Sequence, residues 1–328
     1  NDILIRGGAP SENRFFIDGI EIPVINHFST QGSSGGPVGI INVDFVSDVE
    51  FYSGAFPAAR GNALSSVFDF RFKDGNRERL NFNATLSGTD IGATLEGPIG
   101  KKTTFILSAR RSYLQFLFQA LQLPILPTYN GFQFKIKHNI NPKNTITLLG
   151  IGAIDQFSLN DNLPTAQETD SLTAEYNQYI YNQLPINNQW NYTIGAKYTN
   201  FRKNSYTNII LSRTHLNNRA YKYQNNDDTD ATKLLLDYKS QEIENKLRIE
   251  DITRLPHNIK RTIGTGTEFA KYLNSTYQKI SVQDSIFIID YNNSFNLFKY
   301  YAFGQISKSF LSDRLATSIG IRLDGNTY

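Results

Sequence analysis

The residues with the most chemical potential lie between His27 and Gly39, in the stretch HFSTQGSSGGPVG. Gly32-Ser33-Ser34-Gly35-Gly36 has the G-x-S-x-G spacing of a nucleophile elbow. Such an elbow needs a strand before the serine and a helix after it, to hold the hydroxyl strained and exposed. Here a polar loop precedes and Pro37 follows, so no catalytic role is expected and the chain does not read as an enzyme. The better reading is a loop that offers His27, Ser29, Thr30, Gln31, Ser33 and Ser34 as hydrogen-bonding groups to a ligand, with Phe56 and Arg60 as further contacts. The four histidines, His27, His138, His215 and His257, have no second histidine at ligand spacing. Cysteine is absent, which removes thiolate ligands and disulfides. Asp227, Asp228 and Asp230 lack the glycine and distal glutamate of a calcium loop. No metal and no cofactor are therefore expected. Arg110-Arg111 is too short for a nucleic-acid patch, and a net charge of +3 from 33 basic and 30 acidic residues gives no drive toward nucleic acid.

The elements that hold this loop read as short strands. Ile3-Leu4-Ile5 runs into Arg6-Gly7-Gly8, and Arg14 to Ile17 forms a second apolar run. Asp18-Gly19 has the chemistry of a tight hairpin turn, after which Ile20, Ile22 and Val24 alternate with polar residues. Val46 to Phe72 holds two extended runs around Gly54 and Gly61, the second with Phe68, Phe70 and Phe72 on one face. Methionine is absent and the sequence opens inside a strand, so the chain reads as part of a longer protein.

Together these segments resemble the plug domain of TonB-dependent outer-membrane receptors. Arg6-Gly7 matches that family's I-R-G strand, and Asp18-Gly19-Ile20 its D-G-[IV] turn. Val46, Val49-Glu50-Phe51 and Gly54 match the following strand; Arg60-Gly61, Ala63 and Val67 to Phe70 match the closing hairpin. Ser53 stands where the family usually has Arg or Lys, Arg60 where it has Tyr, and Ser66 where it has Gly. The resemblance implies an α+β plug over residues 1–75. It also implies that Arg6, Gly7, Asp18, Gly19, Gly54 and Gly61 carry the plug motifs and meet the barrel. Within it, Arg6 is expected to pair with an inward glutamate among Glu242, Glu244, Glu250 and Glu268.

From residue 76 to 328 the signal is a period of two. Leu80, Phe82, Ala84 and Leu86 alternate with polar neighbours, as do Phe132, Phe134 and Ile136. Trp190 to Tyr198, Ile243 to Ile249 and Leu315 to Ile321 repeat the pattern. One face is apolar with aromatics near its ends, while the other carries Lys197, Lys246, Arg248 and Glu250. A lipid-spanning barrel with a wet lumen satisfies both faces, whereas a small packed barrel would bury those charges. No apolar run is long enough for a transmembrane helix. Short turns are read at Pro98–Lys101, Asn141–Asn144, Leu184–Asn188, Pro256–Asn258 and Ser312–Asp313. Long loops are read at Tyr113–Gly131, Ser158–Leu172, Tyr223–Asp230 and Asn274–Asn296. Gln115, Gln119 and Gln122 make a polar stripe that predicts a short helix over Leu114 to Leu123 inside one of them.

The pattern supports about thirteen strands, part of the twenty-two-stranded plugged barrel that the resemblance implies. The implied function is active import of a scarce ligand across the outer membrane of a Gram-negative bacterium. The plug would gate the barrel, and the inner-membrane TonB complex would supply energy. Expected partners are outer-membrane lipid, a small-molecule, glycan or peptide ligand, and, for the last two cargoes, a surface lipoprotein lid. Two alternatives remain open at this stage: a soluble β-rich binding or adhesion protein, and a plugged barrel with a structural or assembly role that imports nothing.

Overall fold

The computed structural model describes residues 2–163, 171–283, 285–311 and 314–327. Its first four strands are β1 (Asn13–Ile17), β2 (Ile20–Ile22), β3 (Val46–Tyr52) and β4 (Ser66–Phe72). They form one mixed sheet in the order β2-β1-β4-β3. Asp18 and Gly19 close the β1–β2 hairpin at φ 50° and 88°. Both positive values are those of a type I′ turn, whose twist suits a two-residue hairpin. β3 and β4 pair antiparallel, as the sequence suggested, while β4 also pairs parallel with β1. This unit was expected to be α+β. Its described residues instead hold only 3₁₀ turns at Pro10–Glu12 and Val43–Phe45, because no segment there sustains a helical period.

The remaining strands form a single antiparallel meander. They are β5 (Asn81–Leu86), β6 (Asp90–Ile99), β7 (Thr103–Ser112), β8 (Ile125–Asn141), β9 (Asn144–Leu159), β10 (Ile186–Phe201), β11 (Ser205–Tyr223), β12 (Leu234–Leu255), β13 (Ile259–Val282), β14 (Ser285–Phe310) and β15 (Leu315–Asn326). Each pairs with its chain neighbours, giving an eleven-stranded sheet among the described residues where about thirteen strands were expected. The main difference lies at Asn274–Asn296, read from sequence as a long loop. Residues 274–282 and 285–296 instead extend β13 and β14, which run 24 and 26 residues.

Connections at one end are short, at Gly100–Lys102, Pro142–Lys143, Arg202–Asn204 and Pro256–Asn258. The opposite end carries the long ones. Helix α1 (Leu114–Ala120) lies where the glutamine stripe placed it, but three residues shorter at its C-terminus. It stops in a Schellman arrangement: Gln122 has φ 55°, and the Leu123 amide donates to Phe118 O at 3.0 Å. Helix α2 (Ser171–Gln183) occupies the β9–β10 connection. Leu184–Asn188 is consequently not a turn of its own but the lead from α2 into β10. The expected turn at Ser312–Asp313 and residues 164–170 of the expected loop at Ser158–Leu172 lie outside the described residues.

Register fixes the faces. Phe82, Leu95, Leu107, Phe134, Gly150 and Ile194 stand opposite one another across β5 to β10 on the outward face. On the inward face the matching row is Glu96, Ile106, Lys135, Leu149, Gly195, Ser212, Lys246, Glu268 and Lys299. The N-terminal unit sits against this inward face. Phe15, Ile17, Ile20, Ile22, Ile40 and Phe45 share one core with Ile106, Leu149, Ile151, Ile210 and Leu216.

Contacts of the unit span the sheet. Asn42 bonds Thr94 and Ser108 on β6 and β7, while Ala58 bonds Gln305 on β14. Flat, eleven strands at about 4.8 Å spacing would be roughly 48 Å wide. A compact unit of this size has a radius of gyration of only about 11 Å. Contact with strands so far apart requires the sheet to curve around the unit.

The chain passes between the two parts at Gly75, where an added Cβ would lie 2.0 Å from Phe105 O. That neighbour is a strand carbonyl and cannot yield without breaking the β7 ladder. Gly75→Val is expected to destabilise by about 1–3 kcal/mol, the usual cost of overpacking, read as a lower denaturant midpoint. An unchanged midpoint would refute the close approach.

Candidate functional site

The loop from Asn26 to Gly39 is closed at its base and held along its length. His27 N donates to Val38 O at 2.8 Å, and Ile40 N to Ile25 O at 2.7 Å. His27 Nδ1 lies 2.6 Å from Asp155 Oδ1, and both side chains are fully buried. A carboxylate only accepts, so Nδ1 carries the proton. Asp155 Oδ2 accepts from Phe28 N at 2.7 Å, and the His27 ring stacks on Tyr129 at 4.2 Å. Tyr129 donates to Asp90 at 2.6 Å. His27 thus joins the loop to β8 and β9 and is not presented to the lumen.

The other expected ligand contacts divide. Ser29 is buried and donates to Gly35 O at 2.5 Å, and its carbonyl accepts from Gln189 of β10. Ser34 is buried and both accepts from and donates to the Ile3 backbone, at 3.0 and 3.1 Å. Ser33 donates to Asp2 at 2.7 Å. Gln31 donates to Ser240 at 2.8 Å and accepts from Asn218 at 2.9 Å, reaching β12 and β11. Thr30 is exposed. The loop expected to be free is therefore cross-linked by its own polar groups. Ser33, hydrogen-bonded to Asp2, pulls that carboxyl below its ordinary pKa, with the Ser34 and Gly35 amides adding to the effect.

The second expected contact segment lies on the other side of the unit. Phe56 is half-buried. Arg60 donates to Asp69 of β4 and lies over the Phe16 ring at 4.6 Å, so its guanidinium closes the unit internally. Gly61 lies under Arg322 of β15, which also donates to Ala58 O at 3.3 Å. Arg6 lies over Gly54, with its Nη1 2.9 Å from where a Cβ would be, and Gly7 turns the chain at φ 75°.

Among the described residues Arg6 makes no ion pair, which corrects its expected pairing with a wall glutamate. It is exposed. Most charge pairing between unit and wall runs the other way, with acids on the unit and cations on the wall; among the described residues Lys73 with Glu96 of β6 at 3.6 Å is the exception. Glu21 lies 2.7 Å from Lys246, which also meets Glu244 at 2.8 Å and Glu268 at 3.5 Å. Lys135 meets Asp18 at 3.0 Å and Asp74 at 3.2 Å, and Lys137 meets Asp74 at 2.6 Å. Glu250 pairs with Arg248 at 2.7 Å on its own strand. Burial raises the Glu21 pKa, but Lys246 and Arg14 outweigh it and hold the carboxyl below its ordinary value. Asp74 is held low in the same way by Lys137 and Lys135 against its own burial.

Two cavities flank the Glu21–Lys246 pair. One, of 220 Å³, lies beside Gln31 and Ser33 and is lined by Arg14, Glu242 and Glu244. The other, of 240 Å³, is lined by Phe16, Asn62, Arg248, Tyr301 and Arg322. Sequence reasoning named Glu242 and Glu244 but missed Glu21, Asp74 and the wall lysines as tethers. The inward parity of Lys135, Lys137 and Lys246 was the available signal.

No protein-family model matches the sequence, and no curated protein matches it. Solved structures do match in fold. The outer-membrane transporter YddB from Escherichia coli aligns over 100% of this chain and 50% of its own, with TM-score 0.63 and 12% identity. The ferripyoverdine receptor of the outer membrane of Pseudomonas aeruginosa, bound to ferripyoverdine, aligns over 99% and 46%, with TM-score 0.65 and 13% identity. A mutant ferric enterobactin receptor (PfeA) from the same organism aligns over 99% and 51%, with TM-score 0.64 and 13% identity. The fold is that of TonB-dependent outer-membrane receptors, and the chain spans about half the length of these structures.

Two predictions follow from the tethers. Asp155→Ala leaves the His27 and Phe28 donors buried without their acceptor, a cost of about 1–3 kcal/mol for each group. Amide exchange across residues 26–39 should rise, and unchanged protection there would show that Asp155 is not an anchor. Glu21 and Asp74 have depressed folded pKa values, so their contribution is complete above the unfolded carboxylate values near 4. It is lost as pH falls through the lower folded values. Docking of the unit, followed by protease sensitivity of residues 10–74, should hold from neutral pH down to about pH 4 and weaken below it. Glu21→Gln should reduce the acid-sensitive part, whereas an identical acid profile would remove Glu21 from the linkage.

Proposed function

We propose that this chain is the plug and part of the barrel wall of a TonB-dependent outer-membrane importer, with residues 1–75 as the plug and 76–328 as barrel. The observation that carries this reading is the N-terminal unit lodged against the inward face of a curved, outwardly apolar sheet and tied there by ion pairs. A wall of this kind spans lipid with its apolar face outward. A unit filling its lumen blocks passage until it moves.

Movement then needs work. The TonB complex of the inner membrane is the partner that supplies it in this reading, by pulling on the plug from its N-terminal side. The segments that would shift are those with the fewest wall bonds, since local stability sets which parts open first. The loop at residues 26–39 is bound to β9, β10, β11 and β12, so it forms a fixed floor for arriving ligand. Thr30 and the cavity beside Gln31 and Ser33 are its accessible part. Arg14, Glu242 and Glu244 line the route below.

The proposed cargo is a ferric chelate, supported by the ferripyoverdine and ferric enterobactin receptors that share the fold. A lidded importer of glycans or peptides is the second reading. It draws on α1 and the residue that caps it, where Phe116 and Leu121 stand 64% and 61% exposed at the loop end, the kind of surface a lipoprotein lid would cover.

The decisive experiment is uptake of ⁵⁵Fe-enterobactin and ⁵⁵Fe-pyoverdine in a deletion strain carrying the intact gene or none. Uptake should depend on the gene and fall to background with a protonophore. Gene-independent uptake of both probes would reject the ferric cargo, and protonophore-insensitive uptake would reject TonB dependence. This chain has no cysteine, so once any cysteine elsewhere in the intact protein is replaced, a Glu21→Cys, Lys246→Cys pair bridged by a bis-maleimide gives a clean lock. Uptake of whichever probe is transported should drop at least tenfold after bridging. Full uptake through the bridged protein would mean that this contact does not open.

A further inference from the structure

The outward face of the wall carries a feature that import does not use. Between β8 and β10 an apolar trough of 440 Å³ opens outward. Phe132 and Phe134 form one side, Trp190 and Tyr192 the other, and Gly150 and Gly152 of β9 replace side chains between them. The Trp190 and Tyr192 rings are nearly parallel at 6.1 Å. Aromatic pairs of this kind mark the interface between lipid tails and head groups on barrel walls.

A cation stands at the rim of this trough. Arg213 of β11 faces outward, opposite Ile194 and Asn245 in register. It donates to the Tyr192 hydroxyl at 3.1 Å and to Asn245 Oδ1 at 2.9 Å, both neutral acceptors. Lys271 of β13 lies on the same face, in register with Ile243, itself opposite His215. Among the described residues neither cation is within ion-pair distance of a carboxylate. Outward Leu211 and Ile209 lie immediately below Arg213, and outward Asn217 lies above it. Unpaired cations beside an apolar band are unfavourable unless an anion meets them at its edge. Arg213 and Lys271 lie two strands and two register positions apart, about 12 Å of sheet, a span that their long side chains close around one phosphorylated head group.

The geometry points to a lipid site on the outer wall: a phosphate at Arg213 and Lys271, with an acyl chain of the same molecule in the trough beside Tyr192. The guanidinium fork suits a phosphate, while the lysine adds charge without imposing direction. The inference rests on the membrane-spanning reading above.

The test uses the intact protein extracted from membranes in mild detergent and native mass spectrometry. Phosphatidic acid and diacylglycerol with identical acyl chains are the probes, with inorganic phosphate as competitor. Phosphatidic acid should bind at least fivefold more than diacylglycerol. Arg213→Gln with Lys271→Gln should lower it at least fivefold, and Arg213→Lys should keep most of the binding, which separates loss of charge from loss of fold. Equal binding of the two lipids, an unaffected double variant, or displacement of phosphatidic acid by millimolar inorganic phosphate would each overturn the site. Release of the protein from membranes by salt without detergent would instead overturn the membrane-spanning reading itself.

Discussion

Lys246 is the wall cation on which the arrangement of the interior turns. Three carboxylates from three elements meet it: Glu21 of β2, Glu244 of its own strand and Glu268 of β13. A buried ammonium without partners is costly, and one with partners is tolerable. The wall alone supplies two of those partners, and the third comes from the inner unit. If the unit leaves and water enters, Lys246 keeps Glu244 and Glu268, while Glu21 is free to hydrate. Neither state strands a charge. The contact therefore fixes the register of the unit without trapping it, which a purely apolar interface of the same area would not do.

The same logic separates the two sides of the unit. On the β6–β12 side it is held by a shared apolar core, by His27 on Asp155, and by Asp18 and Asp74 on the wall lysines. On the β14–β15 side the contacts are lighter: Ala58 with Gln305, and Arg322 over Gly61. A 240 Å³ cavity also lies there. Within this part of the wall the residue 52–64 segment lies on the thinly bonded side.

The outward alternation and the Asp18–Gly19 turn were legible in the sequence because each is local: a side-chain period of two and a pair of residues that accept positive φ. The closing hairpin from Val46 to Phe72 was legible for the same reason. The parallel pairing of β1 with β4 was not, since nothing in a strand of five residues names a partner some fifty positions away. Asn274–Asn296 looked like a loop because polar residues dominate Asn274 to Lys279 and Asp290 to Asn296, and Ile286 to Ile289 between them is apolar on both faces and does not alternate. His27 looked like a free ligand donor because its partner Asp155 is 128 residues distant. Ile106, Leu149, Ile151 and Ile210 break the expected polar inner face at the patch where the unit docks. Arg6 followed the resemblance rather than the parity of the strands; the inward lysines pointed to the opposite polarity of pairing.

One alternation governs both faces of the wall, and the two faces resolve their charges differently. Inward cations have a folded partner close by, and Lys135, Lys137 and Lys246 all reach carboxylates of the unit. Outward cations have only their own strand neighbours and the surroundings. Arg202, near the short-turn end, is satisfied by Asp251. Arg219 and Lys239, far along the long strands, share Asp237. Arg213 and Lys271 lie between these levels, where the neighbouring outward positions are Ile209, Leu211, Leu247 and Phe269 and no acid is provided. Among the described residues Arg213 and Lys271 sit beside those apolar rows without a carboxylate, so their charge is left to be met by what surrounds the wall.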